Sequence, residues 1–175
     1  MCEREDRIAQ AYKGGVPMGG ELSAGQGAPK FLVAASQDPG TAAQAGTPLQ
    51  RLQVIKGRLD ETGVYHEEVL DVAGDADNGA TVDTRSCETR GTGFAQLCTV
   101  WTDDNFNPKE PAWYYARAVE NPTCRWSQRI CIANGVDCSD PATIDEGLEG
   151  CCAVEHRPVV QERAWTSPIW YTPGQ

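Results

Sequence analysis

One stretch constrains the fold of this chain more than any other: Ala112 to Trp126, reading AWYYARAVENPTCRW. Trp113, Tyr115, Arg117 and Val119 alternate with Ala112, Tyr114, Ala116 and Ala118, a period of two in β-favouring residues that predicts a strand. One face of that strand is bulky and the other mostly small. After Glu120 and Asn121 comes a proline, and the segment that follows holds five of the eight cysteines. A core strand therefore hands over to a stapled loop.

The remaining strands follow from alternation or from short extended runs. Phe31 to Ser36 is a short apolar run ended by the turn signal Asp38-Pro39-Gly40. From Leu49 to Asp60, Leu52 and Val54 alternate with Gln53 and Ile55, and Glu61-Thr62-Gly63 separates this run from VYHEEVLDV, which predicts a hairpin. Phe94 to Trp101 alternates again, and Val159 to Trp170 is the last extended run, with Pro168 confining it to a sheet edge or placing a bulge in it. Helical signals are short: Ile8, Ala9 and Tyr12 in the stretch before Gly14, and a brief turn over Ile144 to Glu149. The fold class is therefore all-β, a β-sandwich of about six to seven strands over residues 31–175, with a disulfide-stapled irregular loop at 124–152. Residues 1–30 read as a connector carrying a glycine-rich loop.

At 175 residues the chain can bury roughly 70% of its unfolded surface, so its cysteines reinforce a core and do not replace one. Eight cysteines without a Cys-x-x-Cys pair predict disulfides, which places the protein in an extracytoplasmic, periplasmic or secreted setting. Five of them, Cys124, Cys131, Cys138, Cys151 and Cys152, lie in the loop. If all are oxidised within the chain, this odd number obliges at least one to reach Cys2, Cys87 or Cys98. The eleven residues from Cys87 to Cys98 suit a hairpin return, so that pair is the first choice, with Cys2 closing onto the loop. A net charge of −10, without a basic cluster, argues against nucleic acid, whose phosphates need clustered Lys and Arg. No apolar run reaches the length of a membrane span.

Candidate chemistry is sparse. His66 and His156 are the two imidazoles, ninety residues apart, and neither stands in a zinc or catalytic motif. Asp71 to Asp83 (DVAGDADNGATVD) is rich in carboxylates but lacks the EF-hand register, leaving a solvated loop with a structural calcium site as the alternative. Gly15-Val16-Pro17-Met18-Gly19-Gly20 lacks the Lys-Ser/Thr ending of a nucleotide loop and reads as a turn. Trp113, Tyr114, Trp126, Trp165 and Trp170 are candidates for a sugar- or peptide-stacking face, although tryptophans in a sandwich more often fill the core.

Four blocks in order, AYKGGVPMGGEL, LQRLQVIKGRLD, YYARAVENPTCRWS and VQERAWTSPIWYTP, resemble the C-terminal portion of the bacterial domain-of-unknown-function family numbered thirty-six-oh-four. That resemblance spans residues 11 to 173. It implies secreted or envelope proteins several times longer, whose upstream part resembles the polymerase-and-histidinol-phosphatase class of metal-dependent phosphoesterases. The ligand motifs of that class, His-x-His and Asp-x-His, do not occur here, so no catalytic residue is carried over. What the resemblance implies is a non-catalytic accessory domain of a divalent-metal hydrolase acting on phosphate or related esters, with the upstream catalytic region as its partner. Gly15, Pro17, Met18, Gly19 and Trp126 are then the candidate ligand-contacting residues, helping to wall that region's site. The alternative is a self-sufficient module binding a glycan or protein through exposed aromatics.

Overall fold

A computed structural model describes residues 2–24 and 27–174. Helix α1 (Arg7–Gly14) leads into β1 (Glu21–Leu22), β2 (Lys30–Ser36), β3 (Leu49–Leu59), β4 (Tyr65–Gly74), β5 (Thr81–Val82) and β6 (Thr89–Arg90). Then follow β7 (Gln96–Thr102), β8 (Ala112–Glu120), β9 (Thr123–Cys124), helix α2 (Trp126–Ala133), β10 (Val159–Val160), β11 (Arg163–Trp165) and β12 (Ile169–Tyr171). The protein is all-β, and its long strands are those the alternation picks out. The main sheet runs β1-β12-β8-β3-β4, with β11 also paired to β8. All its pairs are antiparallel except β1 with β12. Residues 1–30, read as a connector, thus contribute a strand to this sheet.

A second layer is the antiparallel ribbon of β2 and β7. Between the layers lies one core, made by Phe31, Val33 and Leu97 from the ribbon and by Leu49, Leu52, Val54, Ala112, Tyr114 and Tyr171 from the sheet. Alternation decides which residues enter it, because successive side chains point to opposite faces. In β8 the small set turns inward: Ala116 and Ala118 pack against the core beside Ala112 and Tyr114. Trp113 and Tyr115 therefore face away from the ribbon. Trp113 and Tyr115 lie outside the sandwich, and Tyr114 with the alanines inside it.

Three side chains at the end of this core form a buried polar cluster. Lys56 Nζ lies 2.7 Å from Asp103 Oδ2, with their side chains only 2% and 3% exposed. The Tyr114 hydroxyl donates to the same oxygen at 2.7 Å, and Lys56 also donates to the Asn105 carbonyl. Burial first, and then the bond to Asp103, push the Tyr114 phenol well above its ordinary value. Nearby, Arg58 donates to Glu110 and Asn107 donates to the other Glu110 oxygen. The loop after β7, turn-rich in sequence, is thereby pinned to the sheet by charge.

Several expectations need correction. Cys87 bonds Cys124 and Cys98 bonds Cys2, so neither the Cys87–Cys98 pair nor a closure of Cys2 onto the loop forms. Cys98 sits within β7 opposite Ala34, whereas Cys87 lies in the β5–β6 turn with φ 59°, and these belong to separate ribbons. The parity argument does hold: Cys124 leaves its group, while Cys131–Cys151 and Cys138–Cys152 close the rest. The 124–152 segment is not irregular throughout, since it opens with α2, whose start at Arg125 lacks a side-chain cap. No helix covers Ile144 to Glu149. Short 3-10 turns at Pro141–Thr143 and Glu149–Cys152 flank it, the second held by two adjacent cysteines bridged to different partners. The run from Val159 breaks into three strands, and at the last break the Pro168 carbonyl accepts from Gly19 instead of joining a ladder.

Gly57 shows how tightly the outer face is fitted. A Cβ there would lie 2.2 Å from Trp113 Cε2, so the indole rests directly against the β3 backbone. Gly57→Ala is expected to force the ring aside and destabilise the fold by about 1–3 kcal/mol, as overpacking does. Thermal melts read the loss, and altered tryptophan fluorescence reports the displaced ring.

Candidate functional site

Two surfaces stand out, one on each side of the main sheet. The first is a half-open cleft of about 670 Å³ beneath the N-terminal segment. Its floor includes Ala116 and Ala118 of β8 and Ala164 of β11, and its roof includes Ile8, Ala11 and Tyr12 of α1 with Pro17 and Met18 beyond it. The volume exists because alanines occupy strand positions where larger residues would have filled it. Residues 3–18 form a strap over this cleft. One end is tied by Cys2–Cys98, and the other by Gly19 and Gly20, which bond the backbone of Pro168 and Trp170. No residue of α1 is buried, and Ile8, Tyr12 and Met18 are 62%, 64% and 61% exposed.

The second surface is the outer face of the sheet. Register places Trp170 beside Trp113, which is beside Gly57 and then Glu67. The next row on that face is Tyr115, Ile55 and Val69, and the third is Trp165, Arg117, Gln53 and Asp71. Trp113 and Tyr115 have nearly parallel rings, 5.6 Å apart at 10°, and Tyr65 continues the stack at 6.4 Å and 20° from Trp113. In the third row Arg117 Nε donates to Gln53 Oε1 at 2.8 Å, and Gln53 Nε2 donates to Asp71 Oδ1 at 2.7 Å. An aromatic block thus adjoins a fixed polar row.

Of the residues singled out in the sequence, Pro17 and Met18 line the cleft, Gly15 belongs to the same strap and Gly19 anchors its end. Trp126 is not brought to them. It begins α2, is 75% exposed, and α2 packs on β9 and the Glu149–Cys152 turn. Tyr114 leaves the set of stacking candidates, being among the most buried side chains. Tyr65 and Tyr115 enter it. Their signal was present in the alternation, but only the partner strand tells which face is open.

The histidines act as cross-links. His156 Nε2 lies 2.7 Å from Gln128 Oε1, and Gln128 donates to the Thr84 carbonyl, joining α2 to the β5–β6 turn. His66 Nε2 lies 2.7 Å from Asp60 Oδ2. Asp60 also accepts from Thr62 and the Val64 amide. The His66 bond first, and then those two, hold the Asp60 carboxyl well below the usual carboxylate range. The folded state consequently takes up this proton less readily than the unfolded chain. Its stabilisation is complete above the unfolded value near ~4 and is lost as pH falls towards the folded one. Asp60→Asn should flatten the acid limb of the stability profile below about pH 4, which denaturant melts in acid measure.

In the acidic stretch, Asp71 Oδ1 is engaged by Gln53 and Arg51, Asp75 accepts from the Asp77 amide, and Asp83 accepts from that of Arg85. Asn78 ties the loop to Asn121 and the Thr92 carbonyl. Among the described residues no three His, Cys, Asp or Glu side chains are grouped to hold a metal. Melting in calcium and in chelator is expected to give one midpoint, and a higher midpoint in calcium would locate an ion held through backbone and water oxygens.

The model of one protein family, described as a protein of unknown function (DUF3604), matches residues 1–173. The chain belongs to the DUF3604 family. The resemblance read from the four sequence blocks is therefore the family itself, across essentially the whole chain. No curated protein and no solved structure matches this DUF3604 chain. Its four disulfides accord with a non-cytoplasmic location, and no described helix is long and apolar enough to cross a membrane.

Proposed function

We propose that this DUF3604 chain is a non-catalytic accessory domain of a secreted, metal-dependent hydrolase of phosphate or related esters, and that the strap turns towards the catalytic region. The observation that carries this reading is the exposure of Ile8, Tyr12 and Met18 along one short segment. Apolar surface left in water forgoes roughly 25 cal/mol per Å², and clustered exposure of this kind marks a surface that another part covers. The side chains nearest to catalytic type support it too: all eight cysteines are bridged, and both histidines are committed to structural contacts.

Hydrogen exchange tests the reading. Amides of residues 7–18 should exchange quickly in the isolated chain and become protected in the intact parent protein. Equal exchange in both would remove the strap as the contact surface.

A further inference from the structure

We propose that the outer face of the main sheet binds a neutral oligosaccharide, stacking it on the Tyr65–Trp113–Tyr115 block and hydrogen-bonding its hydroxyls through Arg117 and Asp71. This face lies on the far side of the sheet from the cleft, and the inference does not rest on the accessory role.

The apolar part is rigid before any ligand arrives. Trp113 is seated against Gly57, where any Cβ would collide with the indole, and the flanking tyrosine rings lie nearly parallel to it. A sugar ring has an apolar C–H face that aromatic rings accept. Tyr65 and Trp170 are each 50% exposed, so the block is reachable from both sides.

The polar part shows which occupant suits it. Gln53 spends its amide nitrogen on Asp71 and its oxygen on Arg117, which fixes three planar groups across three strands. Among the described residues, the terminal nitrogens of Arg117 and Oδ2 of Asp71 have no partner. Donors at one end and an acceptor at the other match neighbouring hydroxyls, each of which both gives and takes a hydrogen bond. Arg51, Arg117 and Arg163 balance Glu21, Glu67 and Asp71 on this face, although the chain carries a net charge of −10. A locally neutral patch on an acidic protein favours an uncharged ligand. Carboxylates are by contrast depleted from the buried centre of a protein interface, so Glu67 and Asp71 make a protein partner the poorer fit.

The test is affinity electrophoresis of the chain in gels containing hydroxyethyl cellulose, glucomannan, arabinoxylan or dextran, with alginate and heparin as anionic counterparts. Retardation is expected in at least one neutral gel and in neither anionic one. Trp113→Ala and Arg117→Ala should each weaken it about tenfold, the scale of one stacking or charge-assisted contact. Because Trp113→Ala also removes the ring seated against the β3 backbone, Tyr65→Ala and Trp170→Ala serve beside it: both side chains are half exposed, and both variants should bind more weakly at an unchanged melting temperature. Trp126→Ala, on α2, should bind as the parent sequence does. Free migration in every neutral gel, retardation by the anionic polymers alone, or retardation untouched by the Tyr65, Trp170 and Arg117 changes would each overturn the proposal.

Discussion

Lys56→Ala is expected to destabilise the protein by about 3–5 kcal/mol, the loss seen when one partner of a buried ion pair is removed. Asp103 would keep its charge in a site where its side chain is 3% exposed, with Tyr114 as its remaining hydrogen-bonding side chain. The lysine's bond to the Asn105 carbonyl would go as well. Denaturant melts of Lys56→Ala, Asp103→Ala and the double variant separate the two contributions. The double variant should lose less than the sum of the singles, because the second removal no longer strands a charge. Additive losses would mean that the two groups do not depend on each other.

The second large effect belongs to Cys2–Cys98, which spans 96 residues. Closing a loop of about 100 residues restricts the unfolded chain by roughly 4–5 kcal/mol in the chain-entropy description, and losing a native disulfide typically removes about 2–5 kcal/mol. Cys2→Ser with Cys98→Ser should therefore lower the unfolding midpoint strongly. It should also free α1, which has no buried residue to hold it, so proteolysis would cut between residues 3 and 18 well before the sandwich opens. Removing Cys138–Cys152, whose loop is 14 residues, should cost less, about 3 kcal/mol at most in the same description. Non-reducing peptide maps give the pairings on which both statements depend.

These two cases also show what the sequence carried and what it did not. Period-two alternation located β3, β7 and β8 to within a residue or two, because each has one face against a core, while a short apolar run located β2 and the hairpin signal after Leu59 located β4. Alternation separates two faces but does not say which is inside. In β8 the bulky set looks like the buried one, and only the ribbon of β2 and β7, packed over Ala116 and Ala118, reverses that. Disulfide partners were illegible for a related reason. The interval from Cys87 to Cys98 suits a hairpin, but one residue sits in the β5–β6 turn and the other in a strand bound to β2. Counting survives such rearrangement, which is why the odd number in 124–152 was informative when the spacing was not. Helix α2 was hidden by the absence of a capping side chain at Arg125. The Lys56–Asp103 contact joins residues 47 apart, and no local pattern announces it. Of the candidate ligand-contacting residues, Gly15 to Gly19 lie along and at the end of the strap and Trp126 lies on α2, a separation that no local pattern of residues conveys.

The proposed accessory role leaves the chemistry to a region outside this chain. Its most direct test is hydrolysis of a generic aryl phosphate and an aryl sulfate with manganese, zinc, nickel or calcium, by the purified chain and by the intact protein. Metal-assisted hydrolysis needs several fixed ligands and an open position for water. On the proposed role the chain gives no turnover and the intact protein gives metal-dependent turnover. Turnover by the chain alone would contradict it, and His66→Ala and His156→Ala would then show whether a histidine taken here as a cross-link is the catalyst.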